Sequence, residues 1–206
     1  VIRAWEYMNA LSLNGSKPFT VDRDGVVLGE GAGMLILEKE SDALARNTKP
    51  LAKIMGYGTS NDAFHLVQPN NEGLVKAMTS AITDSGLSLS DIDYVNAHGT
   101  GTLLNDKNEI AGLRKVFGKH ADKLPISSTK PIHGHMIAAT GAVEAIITIK
   151  AMQNSYAPPT INFTTADPEC NMDVIPNFGR NMQINYAMTN NFAFGGLNST
   201  LILGKC

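Results

Sequence analysis

The chain has 206 residues, with 17 Lys+Arg against 19 Asp+Glu, a formal net charge of -2 at pH 7 and 43% hydrophobic residues. That length buries one sizeable core or forms one large half of something bigger, and a balanced charge with no long run of one sign argues against a nucleic-acid groove or a polybasic membrane patch. Two cysteines, Cys170 and Cys206, are too few for a disulfide framework and fit a reducing, cytosolic setting.

The opening VIRAWEYMNALS lacks the basic start, apolar block and small-residue cleavage site of a signal peptide, and it lacks an initiator methionine. Apolar residues at helical spacing predict a helix over 1–11, ended by the turn chemistry of NGSKP, so the chain reads as opening in mid-fold. In VVLGEGAGMLILE the glycines lack the GxGxxG spacing and precede a strand rather than follow one; they read as a tight turn with close backbone packing, not as a dinucleotide fingerprint. The run from Met34 to Leu37 is expected as a buried strand, and Leu51 to Tyr57 as another.

Further on, Leu74, Val75, Met78, Ala81 and Ile82 share one face of a helix predicted over Glu72 to Ser85, with Gly86 as its stop. A strand is expected from Tyr94 to Ala97, then a helix to Phe117 capped by Asp106, a short strand from Ile126 to Ser128 and a long helix from His135 to Gln153. GAVEAIITIKAM carries Glu144 and Lys150 and is too short to cross a bilayer, so no transmembrane segment is expected. Two last strands, Tyr186 to Asn190 and Ser199 to Leu203, flank FAFGG. Alternating helices and strands predict α/β layers around a mixed, buried sheet, with no repeat, low-complexity tract or linker.

Three blocks, NAHGT, SSTKPIHGH and NNFAFGG, set polar residues at the ends of buried strands, where α/β proteins build sites. Lys130 and His135 flank a turn containing Pro131 and Gly134. A helix N-terminus at His135 would favour a neutral ring able to donate a hydrogen bond to a substrate oxygen. Glu144, roughly 13 Å further along a straight helix, reaches Lys130 only if the loop folds back. With His98, this set suits an enolate or a tetrahedral oxyanion. A metal centre is not expected, because His133 and His135 point to opposite faces of an extended segment and no third ligand follows. Each residue also has an ordinary reading. His98 alone is a core histidine at a strand end, Thr100 and Thr102 are turn residues, Phe194 is core, Lys130 is surface, His65 either lines a cavity or is a surface or packing residue, and His120 is solvated.

DRDGVVLGEGAGMLILE, NAHGTGTLLND, SSTKPIHGHMIAATGAVEA, PPTIN and NNFAFGGLNSTLIL, in that order, resemble the C-terminal half of an elongating β-ketoacyl-[acyl carrier protein] synthase of the condensing-enzyme, thiolase-fold superfamily. The resemblance covers nearly the whole chain. It implies one C-terminal ketosynthase domain over 1–206, half of a thiolase-like α-β-α-β-α layered fold. The nucleophilic cysteine would sit in an N-terminal half outside this chain. It implies decarboxylative condensation of malonyl-acyl carrier protein with an enzyme-bound acyl thioester, with no cofactor beyond the carrier's phosphopantetheine.

By the same resemblance His98 and His135 hold the malonyl thioester oxygen as an enolate forms, and Lys130 pairs with Glu144. Thr100 and Thr102 bind the pantetheine arm, and Phe194 gates the acyl pocket on a loop freed by Gly195 and Gly196. Expected partners are acyl carrier protein, the N-terminal half or a second ketosynthase chain, and a homo- or heterodimeric mate, with neither nucleic acid nor membrane. Cys170 lies among acidic residues that would raise its pKa, and it matches no nucleophile motif. Pro131 and His133 depart from many relatives: the proline would hold Lys130 extended, and His133 would either add charge or decorate the rim. The alternative functions are a non-catalytic partner like the chain-length factors, or a binding fragment without turnover; a thiolase is less well matched, since no terminal CxG-type motif is present.

Overall fold

The structure, a computed structural model, describes residues 2–206; Val1 of the predicted first helix lies outside them. Its elements are α1 (Ile2–Tyr7), α2 (Glu40–Ala45), β1 (Lys53–Asn61), α3 (Asn71–Ser85), β2 (Tyr94–Asn96), α4 (Leu103–Phe117), β3 (Ile126–Ser127), α5 (Lys130–His133), α6 (Thr140–Asn154), β4 (Tyr156–Ala157), β5 (Arg180–Asn181), β6 (Tyr186–Ala193) and β7 (Leu197–Gly204).

Five strands form one mixed sheet in the order β1-β7-β6-β2-β3. β2 runs parallel to both β3 and β6, while β7 is antiparallel to β6 and β1. The register aligns Val95, Met188 and Ile202 on one face and Tyr94, Ala187 and Leu203 on the other. Because successive strand residues point to opposite faces, the first row packs into a core with α3 and α4. The second packs against Ile149 and Met152 of α6. The sheet is therefore sandwiched between helices on both faces, the α/β layering expected.

α3 forms where the apolar face predicts it, with the Asn70 side chain capping its start and Gly86 in the left-handed conformation at its end. Elsewhere boundaries move. α6 begins at Thr140, not His135. The reason is that both main-chain groups of His135 are already engaged, its N–H by Val27 and its carbonyl by Gly29, in a strand-like bridge. α4 is preceded by Thr102 at the cap position, while Asp106 sits in its first turn. Lys130 is not extended: it opens the one-turn α5, where Pro131 costs no backbone bond because a helix's first N–H groups have no partner anyway.

The run Met34 to Leu37 is not a paired strand, and most of it is not buried. Leu35 packs against the α6 core, but Met34 and Ile36 are 88% and 90% exposed. Leu37 is exposed as well, so a strand's alternation is not kept, and no strand among the described residues lies beside the run. The glycines before it are held by close packing. A Cβ on Gly29 would collide with the His133 carbonyl, and one on Gly33 would lie 2.9 Å from the Ala142 side chain. Gly29→Ala is expected to lower stability by about 1–3 kcal/mol, as overpacking does, because backbone cannot step aside; chemical denaturation of the variant measures this.

Candidate active site

Since β2, β3 and β6 are parallel, their carboxyl ends open on the same side, the usual site of an α/β sheet. His98 follows β2, Lys130 follows β3, and Phe194 follows β6. A cavity of about 770 Å³ lies there, lined by His98, His135, Thr100, Thr102, Phe194 and His65 among others. Lys130 and Glu144 sit behind this lining.

The two imidazoles meet edge to face with ring centroids 5.5 Å apart. Burial, reinforced by the nearby Lys130 ammonium, holds His98 well below the usual histidine range and His135 at about 3, so both rings are neutral at pH 7. This neutrality, expected from a helix dipole, has another cause: His135 precedes α6 by five residues, and desolvation with a neighbouring cation produces the shift. The His135 Nδ1 receives the Ile137 N–H at 3.3 Å and lies 3.0 Å from the Thr140 hydroxyl. Accepting at Nδ1 leaves the ring proton on Nε2.

Lys130 and Glu144 do meet, with Nζ 2.7 Å from Oε1 and both side chains almost fully buried. The loop folds back as it must, because α5 and the bridge at His135 reverse the chain before α6. Burial raises Glu144 to about 7, while Lys130 pulls it down. Glu144 Oε2, Asn96 Oδ1, Thr189 Oγ1 and the His98 Nδ1 are buried without a partner among the described residues.

Thr100 and Thr102 belong to a turn built on Gly99 and Gly101, whose φ values of 38° and 81° suit glycine. Their hydroxyls are 2.9 Å apart at the cavity wall. Phe194, 37% exposed, stacks on Trp5 with centroids 5.0 Å apart, and Trp5 also reaches His135 at 6.2 Å. His65 spends its Nδ1 on the Val67 and Gln68 N–H groups. His120 packs part-buried beside Phe117 rather than standing free in solvent.

Several contributors have roles that the sequence patterns do not assign. Glu109 is fully buried and accepts the N–H groups of His98 and Gly99, each at 2.8 Å. Asp106 accepts from Gly101 and from Phe19, so it braces the threonine turn instead of capping a helix. Arg23 donates to the Thr20, Thr102 and Leu103 carbonyls and pairs with Asp167. A signal for the two carboxylates is present in NDKNE, where they stand three apart on one helix face just after the histidine loop. Trp5, the chain's single tryptophan, enters the sequence pattern only as a helix-face residue.

Among the described residues no group of three or more His, Cys, Asp or Glu side chains could hold a metal, and no helix is long and apolar enough to cross a membrane. Neither cysteine lines the cavity, and burial pushes the Cys170 thiol up to about 12.

Residues 51–164 match the family described as Beta-ketoacyl synthase, C-terminal domain, and residues 1–43 match Beta-ketoacyl synthase, N-terminal domain. The chain is 47% identical to Nodulation protein E of Rhizobium meliloti over 98% of its own length and 50% of that protein's. It is 42% identical to 3-oxoacyl-[acyl-carrier-protein] synthase 2 of Staphylococcus aureus (strain COL), covering 99% of this chain and 51% of the other. A solved type II PKS ketosynthase, bound to a hexaketide and in complex with its acyl-carrier protein, superposes with a TM-score of 0.96 at 33% identity, over 100% of this chain and 52% of that one. The chain thus spans about half the length of these relatives.

Replacing Lys130 by Met leaves the Glu144 carboxyl buried without its cation. It is expected to destabilise by about 3–5 kcal/mol, most of it recovered in Lys130→Met with Glu144→Leu, as denaturant titration of single and double variants would read. A second expectation concerns acid. The folded protein keeps His135 neutral down to about pH 3, whereas the unfolded chain takes up a proton below about 6.5. The unfolded state then binds more protons, so stability falls as pH drops from about 6.5 towards 3. His135→Gln should flatten that slope by up to about 1.4 kcal/mol per pH unit, measured as unfolding free energy against pH.

Proposed function

The chain belongs to the β-ketoacyl synthase family, and we propose on that footing that it supplies the enolate-stabilising site of a decarboxylative condensation in fatty acid or polyketide synthesis. Its thiolase-like ketosynthase fold sets two neutral imidazoles at the end of the parallel strands, and their contact across 5.5 Å is the observation that carries the reading.

A malonyl thioester enters the cavity with its carbonyl oxygen between His98 and His135. When the bond to the carboxyl carbon breaks and carbon dioxide leaves, its electron pair moves into an enolate, and negative charge develops on that oxygen. His135 donates from Nε2, since its Nδ1 already accepts from Ile137. A neutral donor suits an enolate, because it stabilises charge as it forms without first losing its proton to the solvent or to the substrate carboxylate. Desolvation, reinforced by the field of Lys130, keeps both rings neutral, and Glu144 compensates the lysine so that it leaves no formal charge imbalance in the site. The enolate carbon then attacks an acyl thioester held on a cysteine in the half of the enzyme that this chain does not cover, expelling the thiolate.

Thr100 and Thr102 offer paired hydroxyls to the pantetheine arm of a carrier protein, and Phe194 with Trp5 stands at the acyl side as its gate. Acyl carrier protein is the proposed substrate donor, and a ketosynthase dimer the proposed assembly. A chain-length-factor-like partner without turnover is not favoured, because both histidines and Lys130 are retained in one constellation.

In the complete enzyme, His98→Ala and His135→Ala are each expected to cut malonyl-acyl carrier protein decarboxylation by about 10²–10³-fold, followed by release of labelled carbon dioxide. Near-normal release in either variant would refute the assignment.

A further inference from the structure

His133 is the last residue of α5, and its half-buried ring reaches both ends of that helix. Nδ1 lies 2.7 Å from the carbonyl of Gly134, the residue after the helix, and Nε2 lies 3.1 Å from the hydroxyl of Thr129, the residue before it. A carbonyl can only accept, so the ring proton is on Nδ1 and the Nε2 lone pair receives the Thr129 hydroxyl. The Thr129 oxygen in turn accepts from Asn96 Nδ2 at 3.4 Å, and Asn96 stands two residues before His98. One directed chain of hydrogen bonds therefore runs from the end of β2 through Thr129 and His133 to the peptide that leads into His135.

α5 itself is a single turn. Its backbone closure rests on Gly134 N–H to the Lys130 carbonyl at 2.7 Å and Ile132 N–H to the Thr129 carbonyl at 2.9 Å. An isolated turn of that length is unstable in water, yet this one fixes Lys130 at its first position and aims His135 two residues past its last. Burial with the nearby Lys130 charge lowers the His133 pKa, so the ring adds no positive charge to the site. Of the two roles the sequence allows it, an extra charge is thus removed, and rim decoration does not account for two hydrogen bonds spanning the helix.

We propose that His133 is a positioning residue: its neutral ring ties the two ends of α5 together and thereby sets the lysine and the second histidine relative to the first. This rests on the enolate reading of His98 and His135. The tie acts on geometry at the moment charge develops, so it bears on turnover more than on binding.

The test compares His133→Phe, which keeps a ring of similar size without hydrogen bonds, with His133→Asn and His133→Gln. Asn places a donor near the Nδ1 position, and Gln places an acceptor near the Nε2 position. In the complete ketosynthase, His133→Phe is expected to lower kcat for malonyl-acyl carrier protein decarboxylation by about 10- to 100-fold, as small misplacements of reacting groups do, with KM within about twofold. Asn and Gln should each restore part of that loss. Wild-type kcat in His133→Phe, or a change confined to KM, overturns the proposal. Histidine ¹⁵N NMR of the wild-type protein reads the tie independently of activity: a neutral ring protonated at Nδ1 supports it, and one protonated at Nε2 sinks it. If the wild-type enzyme shows no decarboxylation while His133 carries its proton at Nδ1, the enolate reading fails and the tie stands.

Discussion

A lysine with a side chain 1% exposed, 2.7 Å from a carboxylate that is wholly buried, is the constraint on which the rest of the site depends. Removing such charges from water is costly, and mutual attraction offsets the cost only with good geometry. The chain meets that geometry by turning back through α5 and the bridge at His135 before starting α6, since Lys130 and Glu144 are fourteen residues apart in sequence. The pair puts a fixed positive charge beside two imidazoles while remaining neutral overall. That field, added to desolvation, holds both rings in the neutral form that donates a hydrogen bond.

Around this pair the polar groups of the site are fixed largely through backbone. Glu109 grips the amides of His98 and Gly99, Asp106 those of Gly101 and Phe19, and Arg23 the carbonyls at the start of α4. Burial raises Glu109 to about 7, with the two amide donors pulling it back. Buried carboxylates that accept from adjacent amides restrict a loop more tightly than packing alone, because leaving either amide unpaired would cost the desolvation of that group. The histidine loop thus owes its shape to residues that never touch the cavity.

The aromatic side is built differently. Trp5, Phe194, Phe192 and the two histidine rings make a chain of edge and tilted contacts along the cavity wall. These contacts join a helix at one end of the sequence to the turn between β6 and β7 at the other. The cavity wall accordingly draws on segments far apart in sequence. By contrast, the exposed face of the Met34 to Leu37 run shows apolar side chains that no strand among the described residues covers.

The elements with strong periodicity, α3 and the β6–β7 pair, are legible in the amino-acid order, because side-chain pattern and turn glycines act locally. So are the ordered blocks that carry His98, Lys130, His135 and Phe194, since each block is a short stretch whose chemistry is visible in a row. Folding in three dimensions is what puts His135 in a bridge rather than a helix, because its partners Val27 and Gly29 are more than one hundred residues away. The same holds for Glu109 and Asp106 bracing loops, for Trp5 facing the second histidine and for His133 spanning α5. Those roles depend on which groups are desolvated together, and desolvation is set by what the folded chain places around a residue, not by its neighbours in sequence.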